Sequence, residues 1–470
     1  MAGRPSGLAA WRIEREPKPG FIVSGRGAQS FTGMTAQSPT AGRTRAGRAL
    51  DAANFFLADV RDGLGPYLAI YLLTIQKWDE ASIGVVMSIA TAAGIVAQTP
   101  AGGLIDATRR KRTVMAAAAV AVVAASLLLP LVSSFVPVAA SQAAAHAAAA
   151  VFGPGLAAIS LGIVGHAAFT WRIGRNESFN HAGNAFAATA AGATAYLWGP
   201  SVVFYLLAAM SLASLLSILA IPRRAIDNDL ARGLHDRVGD QGHDVPDGDT
   251  PSGLRVVLTC RPLLIFAGAV VLFHLANAAM LPLVGQKLAL QDRNLGTTLM
   301  SACIVAAQVV MVPMAILVGA RADRWGRKPL FLIAFLILPL RGCLYTLSDD
   351  QFWLVAVQLL DGIGAGLFGA LFPIIVADLM RGTGRYNVAQ GAILTAQGIG
   401  AALSTTLAGV VVVHAGYGAA FLTLAGVALV GALLFFFGMP ETLVRTAEPL
   451  DGGRNQKLAP APATALDPAT

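Results

Sequence analysis

Few side chains in this sequence could do chemistry, and those that could sit inside apolar runs. The segment Asn54-Phe-Phe-Leu-Ala-Asp59-Val-Arg61-Asp62 sets two carboxylates and a guanidinium into an otherwise apolar stretch. On a helix turning about 100° per residue, Asp59 and Asp62 lie about 60° apart on one face. Two carboxylates that close resist ionising together, so one of them is a candidate proton carrier. The trio also has a structural reading, in which Arg61 bridges to a carboxylate on another helix. Further along, Gln142 and His146 stand one helical turn apart, as do His274 and Asn277, and Gln358 and Asp361. For both histidines a packed, hydrogen-bonded core role competes with a binding role. Arg341 and Asp361 would lie at depths differing by about 5 Å, at 1.5 Å rise per residue, which an arginine can reach across. Such a pair is either purely structural or opened by a substrate or a proton. No Gly-x-x-x-x-Gly-Lys loop, His-Glu-x-x-His or Gly-x-Ser-x-Gly appears, so neither nucleotide-driven chemistry nor common hydrolysis has a visible site. Cys260, Cys303 and Cys343 show no metal-ligand spacing. The chain is therefore expected to need no cofactor or metal and not to be an enzyme.

The elements that must position these groups follow from composition. Hydrophobic residues make up 55% of 470 positions and charged residues 13%, with mean hydropathy +0.64. Soluble domains carry about 25% charged residues. Charge-poor runs of membrane-spanning length recur near 52–73, 82–103, 113–132, 138–162, 180–199 and 201–221, then near 262–285, 297–319, 329–347, 351–376, 387–413 and 417–438. Within a bilayer a central charge costs about 2.5–3.5 kcal/mol on insertion scales, which makes the polar residues above the first functional candidates. Residues 1–50 read as a disordered basic tail, 51–221 as a six-helix bundle, 222–261 as a polar linker, 262–440 as a second bundle and 441–470 as another disordered tail. With both termini in the cytoplasm, 18 of the 34 Lys and Arg fall in cytoplasmic loops and three on the opposite side. That asymmetry orients the chain and also accounts for the net charge of +8 without nucleic acid.

Gly102, Asp106, Arg110 and Lys111 recur 217 residues later as Gly319, Asp323, Arg327 and Lys328. A weaker echo joins Arg172, Gly174, Arg175, Asn180 and Gly183 to Arg381, Gly384, Arg385, Asn387 and Gly391. Two homologous halves are what a transporter needs to rock about a central site. The segment Gly319-Ala-Arg-Ala-Asp323-Arg-Trp-Gly326-Arg327-Lys328 resembles the signature loop of the major facilitator superfamily, Gly-x-x-x-Asp-x-x-Gly-Arg-Lys, and Pro440-Glu441-Thr442 is a further feature common there. In the first copy Arg109 stands where the pattern has Gly, a residue that tolerates positive φ.

The resemblance implies an all-α membrane protein of twelve transmembrane helices in two pseudo-symmetric six-helix bundles, the major facilitator fold. It also implies that the first, fourth, seventh and tenth spans line a central cavity. The expected polar ring is then Asp59, Asp62, Gln142, His146, His274, Asn277, Gln358 and Asp361, with Arg61 and Arg341 as buried partners. The expected cytoplasmic gate is Gly102, Asp106, Arg110, Lys111, Gly319, Asp323, Gly326, Arg327 and Lys328. Its aspartates could latch one conformation shut through charge-assisted bonds to basic groups and helix N-termini. The basic residues alone would also serve as topology markers.

The function expected is alternating-access transport of a small molecule, driven by protons and directed outward. Gly199-Pro200, which partly matches the superfamily's antiporter signature three residues out of place, supports export. The rival is a proton symporter for an organic acid or sugar. A membrane-embedded enzyme or sensor is the alternative of another class. The expected setting is a bacterial inner membrane, with the lipid bilayer as partner and a monomeric chain.

Overall fold

A computed structural model describes residues 39–62, 68, 71–73, 75–198, 202–234, 255–291 and 293–443. The first half holds α1 (Pro39–Asp62), α2 (Glu80–Ala107), α3 (Lys111–Leu128), α4 (Phe135–Ala149), α5 (Phe152–Val164), α6 (Phe169–Trp198) and α7 (Val202–Ala220). The second holds α8 (Arg261–Asn277), α9 (Met280–Gln291), α10 (Arg293–Trp325), α11 (Arg327–Leu344), α12 (Gln351–Leu379) and α13 (Tyr386–Gly438). Among the described residues eight helical stretches are long and apolar enough to cross a membrane. One of them is α13, whose 53 residues are twice and more what a bilayer needs. Gly416, with φ of 83°, breaks it into two spans beside the boundary read from the sequence. The remaining helices of the bundles are α1, α6 and α11, whose charged and polar residues (Arg45, Arg48 and Asp51; Arg172, Arg175, Asn176, Glu177, Asn180 and His181; Arg327, Lys328 and Arg341) make them less apolar than the others. The described residues are consistent with twelve spans in two bundles.

Local sequence sets the helix ends. Asp79 caps α2 by accepting from the Ser82 amide at 2.8 Å, and Asp350 caps α12 by accepting from Trp353 at 2.9 Å. The fourth span is split, because Pro154 offers no N–H to the Ala150 carbonyl and the chain re-forms as α5. Gly155 lets that break pack closely, since a Cβ there would lie 2.8 Å from the Met115 sulfur.

Two boundaries differ from the sequence reading. The first helix begins at Pro39, inside the expected tail, and Asp51 is already buried. The fifth span begins at Phe169 rather than 180, so Arg172 and Glu177 belong to a helix and not to a loop. Each half has its own apolar core, and the core of the second half takes in Ala157, Leu161, Phe169 and Ile173 from the first. The halves therefore interlock at the end that carries the duplicated loops. Residues 222–234 are built into that end too. The Asp227 amide donates to the Gly162 carbonyl at 2.9 Å, and the Ala231 carbonyl accepts from the Asn387 side chain at 2.8 Å.

Candidate functional site

A cavity of about 340 Å³ lies between the halves, walled by α1, α5 and α6 on one side and α8, α10, α12 and α13 on the other. Its most polar wall is α6. Ile173, Asn176, Glu177, Asn180, His181 and Asn184 all face it, at the alternating three- and one-residue intervals of a single helical face. Such a face survives in a bilayer because its guanidinium neighbours turn away from the cavity and share a carboxylate. Buried Arg172 donates to Asp51 at 2.6 Å and to Asn176 at 2.7 Å, and Arg175 meets Asp51 at 2.7 Å. Asn176 donates onward to Ser160 at 2.7 Å, which fixes the stripe's rotation.

Glu177 is the only carboxylate on the described lining, beside two imidazoles, His181 and His274. It accepts from Asn180 at 3.2 Å. Across the cavity a Cβ at Gly369 would come 3.8 Å from its carboxylate, so Glu177 reaches the backbone of the other half. His181 and Gln308 also join the halves, Nδ1 to Oε1 at 2.9 Å. Among the described residues, His181 Nε2, His274 Nε2 and Gln390 Oε1 are buried without a protein partner, and all three residues line the cavity. Buried polar atoms are normally satisfied, so this constellation is suited to a ligand carrying both donors and acceptors.

Behind the cavity wall Asn277 accepts from Arg341 at 2.8 Å, Arg341 pairs with Asp361, and Gln358 donates to Asp361 at 2.9 Å and accepts from Tyr345. The Arg341 side chain is 2% exposed. The structure thus brings together Asn277, Arg341, Gln358 and Asp361, but of these only Asn277 lines the cavity. Breaking one partner of a buried pair costs about 3–5 kcal/mol, whereas replacing both with apolar groups is often neutral. Asp361→Asn should accordingly lower the unfolding midpoint of the purified chain sharply, and Arg341→Met combined with Asp361→Leu should recover most of it.

Of the other expected ring members, Gln142 and His146 fall elsewhere. His146 packs its Cβ against Gly94 of α2, and neither it nor Gln142 lines the cavity. The break after α4 is the cause, since it passes the cavity face to Gly153, Leu156 and Ala157 of α5. His274 does line the cavity. Asp59, Arg61 and Asp62 close α1, and their side chains lie outside the described part.

At the loop end the two halves are tied twice. Asp106, 2% exposed, accepts from the Asn387 amide at 3.2 Å, the Asn387 side chain at 2.8 Å and the Val388 amide at 2.8 Å, and so caps α13 of the other half. Its counterpart Asp323 accepts from Thr170 at 2.8 Å, at the start of α6. Thr170 and Asn387 are themselves 217 residues apart, like the aspartates they bind. Arg327 stands at the centre of the second copy, bonded to Asp323 at 2.7 Å, Asp378 at 3.1 Å and Thr170 at 3.2 Å. Gly326 has φ of 94°, and Glu441 takes the Arg327 and Lys328 amides at 2.9 and 3.1 Å, which caps α11.

Doubled loops, pseudo-symmetric bundles and a polar cavity between them agree with comparison by sequence: a profile of the Major Facilitator Superfamily matches residues 50–338 and 266–466. The chain belongs to the Major Facilitator Superfamily. An uncharacterized MFS-type transporter of Mycobacterium tuberculosis, found in two strains, is 58% identical over 399 residues, covering 85% of this chain and 94% of the relative. Among solved structures, a proton:xylose symporter bound to 6-bromo-6-deoxy-D-glucose matches with TM-score 0.65 at 13% identity, over 86% of this chain and 97% of that one. A transporter of the superfamily in the outward conformation matches with TM-score 0.66 at 13% identity, over 85% and 100%. The human organic anion transporter TETRAN matches with TM-score 0.58 at 16% identity, over 85% and 100%. These three share the fold.

The superfamily loop is not the same device in both halves. Where Gly326 opens α11 at positive φ, Arg109 has no positive φ, and α3 starts at Lys111, one position later than the repeat dictates. Arg110 is consequently exposed, whereas its counterpart Arg327 is buried, and Lys111 is buried, donating to the Thr108 carbonyl at 2.9 Å. The Asp323 side chain is 51% exposed, so Asp106 is the stronger tie. Removing an N-cap costs about 1–2 kcal/mol, against about 0–1 kcal/mol for an exposed pair. Asp106→Ala should speed alkylation of a cysteine placed at Thr395, which lies between the halves beside Thr99, several-fold more than Asp323→Ala does.

Proposed function

We propose that this transporter is a proton-coupled secondary carrier of a small polar molecule, working by alternating access as a monomer in a bacterial inner membrane with both termini cytoplasmic. The observation that carries the reading is Glu177, a carboxylate set between the halves in a cavity otherwise lined by amides, imidazoles and apolar groups. A carboxylate there can load a proton when the cavity faces one side and release it when the cavity faces the other. Among the described residues most of the hydrogen bonds between halves lie at the loop end, where Asp106 and Asp323 make theirs, which fits a cavity sealed from the cytoplasm. The lining carries no described Lys or Arg, and that argues against an organic acid and for an uncharged or cationic substrate.

Export is the direction we propose, on the sequence grounds above. Uptake of a sugar-like compound is the second reading, and the amide-rich wall favours it, since amides pair well with hydroxyls. One experiment separates them. Proteoliposomes with an imposed pH gradient are screened with polyols, sugars and polar amines. Accumulation against the proton flow marks export, accumulation with it marks symport, and either should collapse with an uncoupler. Accumulation that survives the uncoupler would reject proton coupling.

A further inference from the structure

We infer that the crevice between α1 and the turn joining α5 to α6 is a binding site for one anionic phospholipid in the leaflet at the loop end. The crevice holds about 490 Å³ and is separate from the central cavity. Its charge is lopsided. Arg48, Arg172 and Arg175 line it against a single carboxylate, Asp51. Arg172 is buried and fully engaged, but Arg175 is 43% exposed and spends only Nε and Nη2 on Asp51. Arg48 is exposed and forms no ion pair with the described residues. Arg48 is left whole for a ligand, and Arg175 in part, its guanidinium also lying over the Trp171 and Phe179 rings.

The rest of the lining says what kind of anion fits. Leu50, Ile163 and Ala168 make an apolar floor, and Trp171, 54% exposed, stands at the rim where an indole belongs at a membrane interface. Inorganic phosphate would use the cations and leave the floor empty of any favourable contact. A phospholipid with an anionic head uses both, the phosphate on Arg48 and Arg175 and the upper acyl chain on the floor. Basic pockets between spanning helices on the cytoplasmic side hold acidic headgroups for the same reason.

The test takes the delipidated full-length chain in detergent and counts retained lipid by native mass spectrometry, using phosphatidylglycerol and phosphatidylcholine. Phosphatidylglycerol should be retained with about fivefold or greater preference, as expected for one or two cations at a membrane surface. Arg48→Gln should reduce that preference by several-fold with the unfolding midpoint unchanged. Ala168→Trp fills the exposed floor without touching a charge and should cut retention of phosphatidylglycerol. Millimolar inorganic phosphate should not displace the lipid. Equal retention of the two lipids, displacement by inorganic phosphate, or retention unaltered in both variants would each overturn the site. All of these readouts are independent of transport, so the lipid site stands or falls apart from the proposed function.

Discussion

Glu177→Gln should reduce gradient-driven accumulation to equilibration while leaving exchange of substrate across the membrane intact. The magnitude follows from linkage. One pH unit is worth about 1.4 kcal/mol per proton, so a single coupled proton supports about tenfold accumulation. Without the proton the ratio falls to about one. Glutamine keeps the length and still accepts from Asn180, so the helix stripe and its packing survive the change. Among the other membrane carboxylates, Asp361 is held by Arg341 and Gln358, and Asp51 by two arginines. That leaves Glu177, with Asp59 and Asp62 at the end of α1, to carry the proton. Amide variants of Asp59 and Asp62 belong in the same series. Full accumulation by Glu177→Gln, with loss in either α1 variant, would move the proton site to α1.

The sequence made the fold readable because each span is an apolar run of bilayer length and the Lys and Arg cluster between them. It made the Arg341–Asp361 pair readable because the helical rise fixes depth even where rotation is unknown. The α6 wall was hidden by its own charges. Arg172, Arg175 and Glu177 look like loop residues to any hydropathy count, and what binds the arginines is Asp51, more than a hundred residues away. The signal was nevertheless present, since Asn176, Glu177, Asn180, His181 and Asn184 repeat with helical spacing and could not all face lipid. Gln142 and His146 were misplaced for the opposite reason. A span drawn as one helix keeps its face in register, and the break at Pro154 does not. The unequal gates trace to the single exchange of Gly for Arg109, whose effect on helix start is visible only once φ is known.

Adding one methyl group at Gly102 should abolish closure of the loop end and with it transport. A Cβ there would stand 2.1 Å from the Asn387 carbonyl oxygen and 2.9 Å from the Val388 Cα, both backbone atoms of the other half. A side chain could turn away from such a clash, but a helix backbone cannot. Relief requires the halves to separate, and separation undoes the Asp106 bonds to Asn387 and Val388. Each hydrogen bond to a charged group contributes about 1.5–3 kcal/mol, so the closed state should lose roughly 3 kcal/mol or more, over a hundredfold in population. Gly391→Ala tests the same contact from the opposite half, because its Cβ would meet the Gln98 carbonyl at 2.3 Å. Two substitutions in separate bundles that give one phenotype cannot both be local folding defects. The expected result is the same for each: rapid alkylation of a cysteine at Thr395 from the loop end, an unfolding midpoint near that of the unmodified chain, and transport below about one per cent, in line with that population shift. Gly84→Ala and Gly409→Ala, where an added Cβ meets nothing within 4 Å, should behave as the parent does. If Gly102→Ala and Gly391→Ala transport normally, the close approach of α2 to α13 is not a state the transport cycle visits, and the gate must close by another pair of helices.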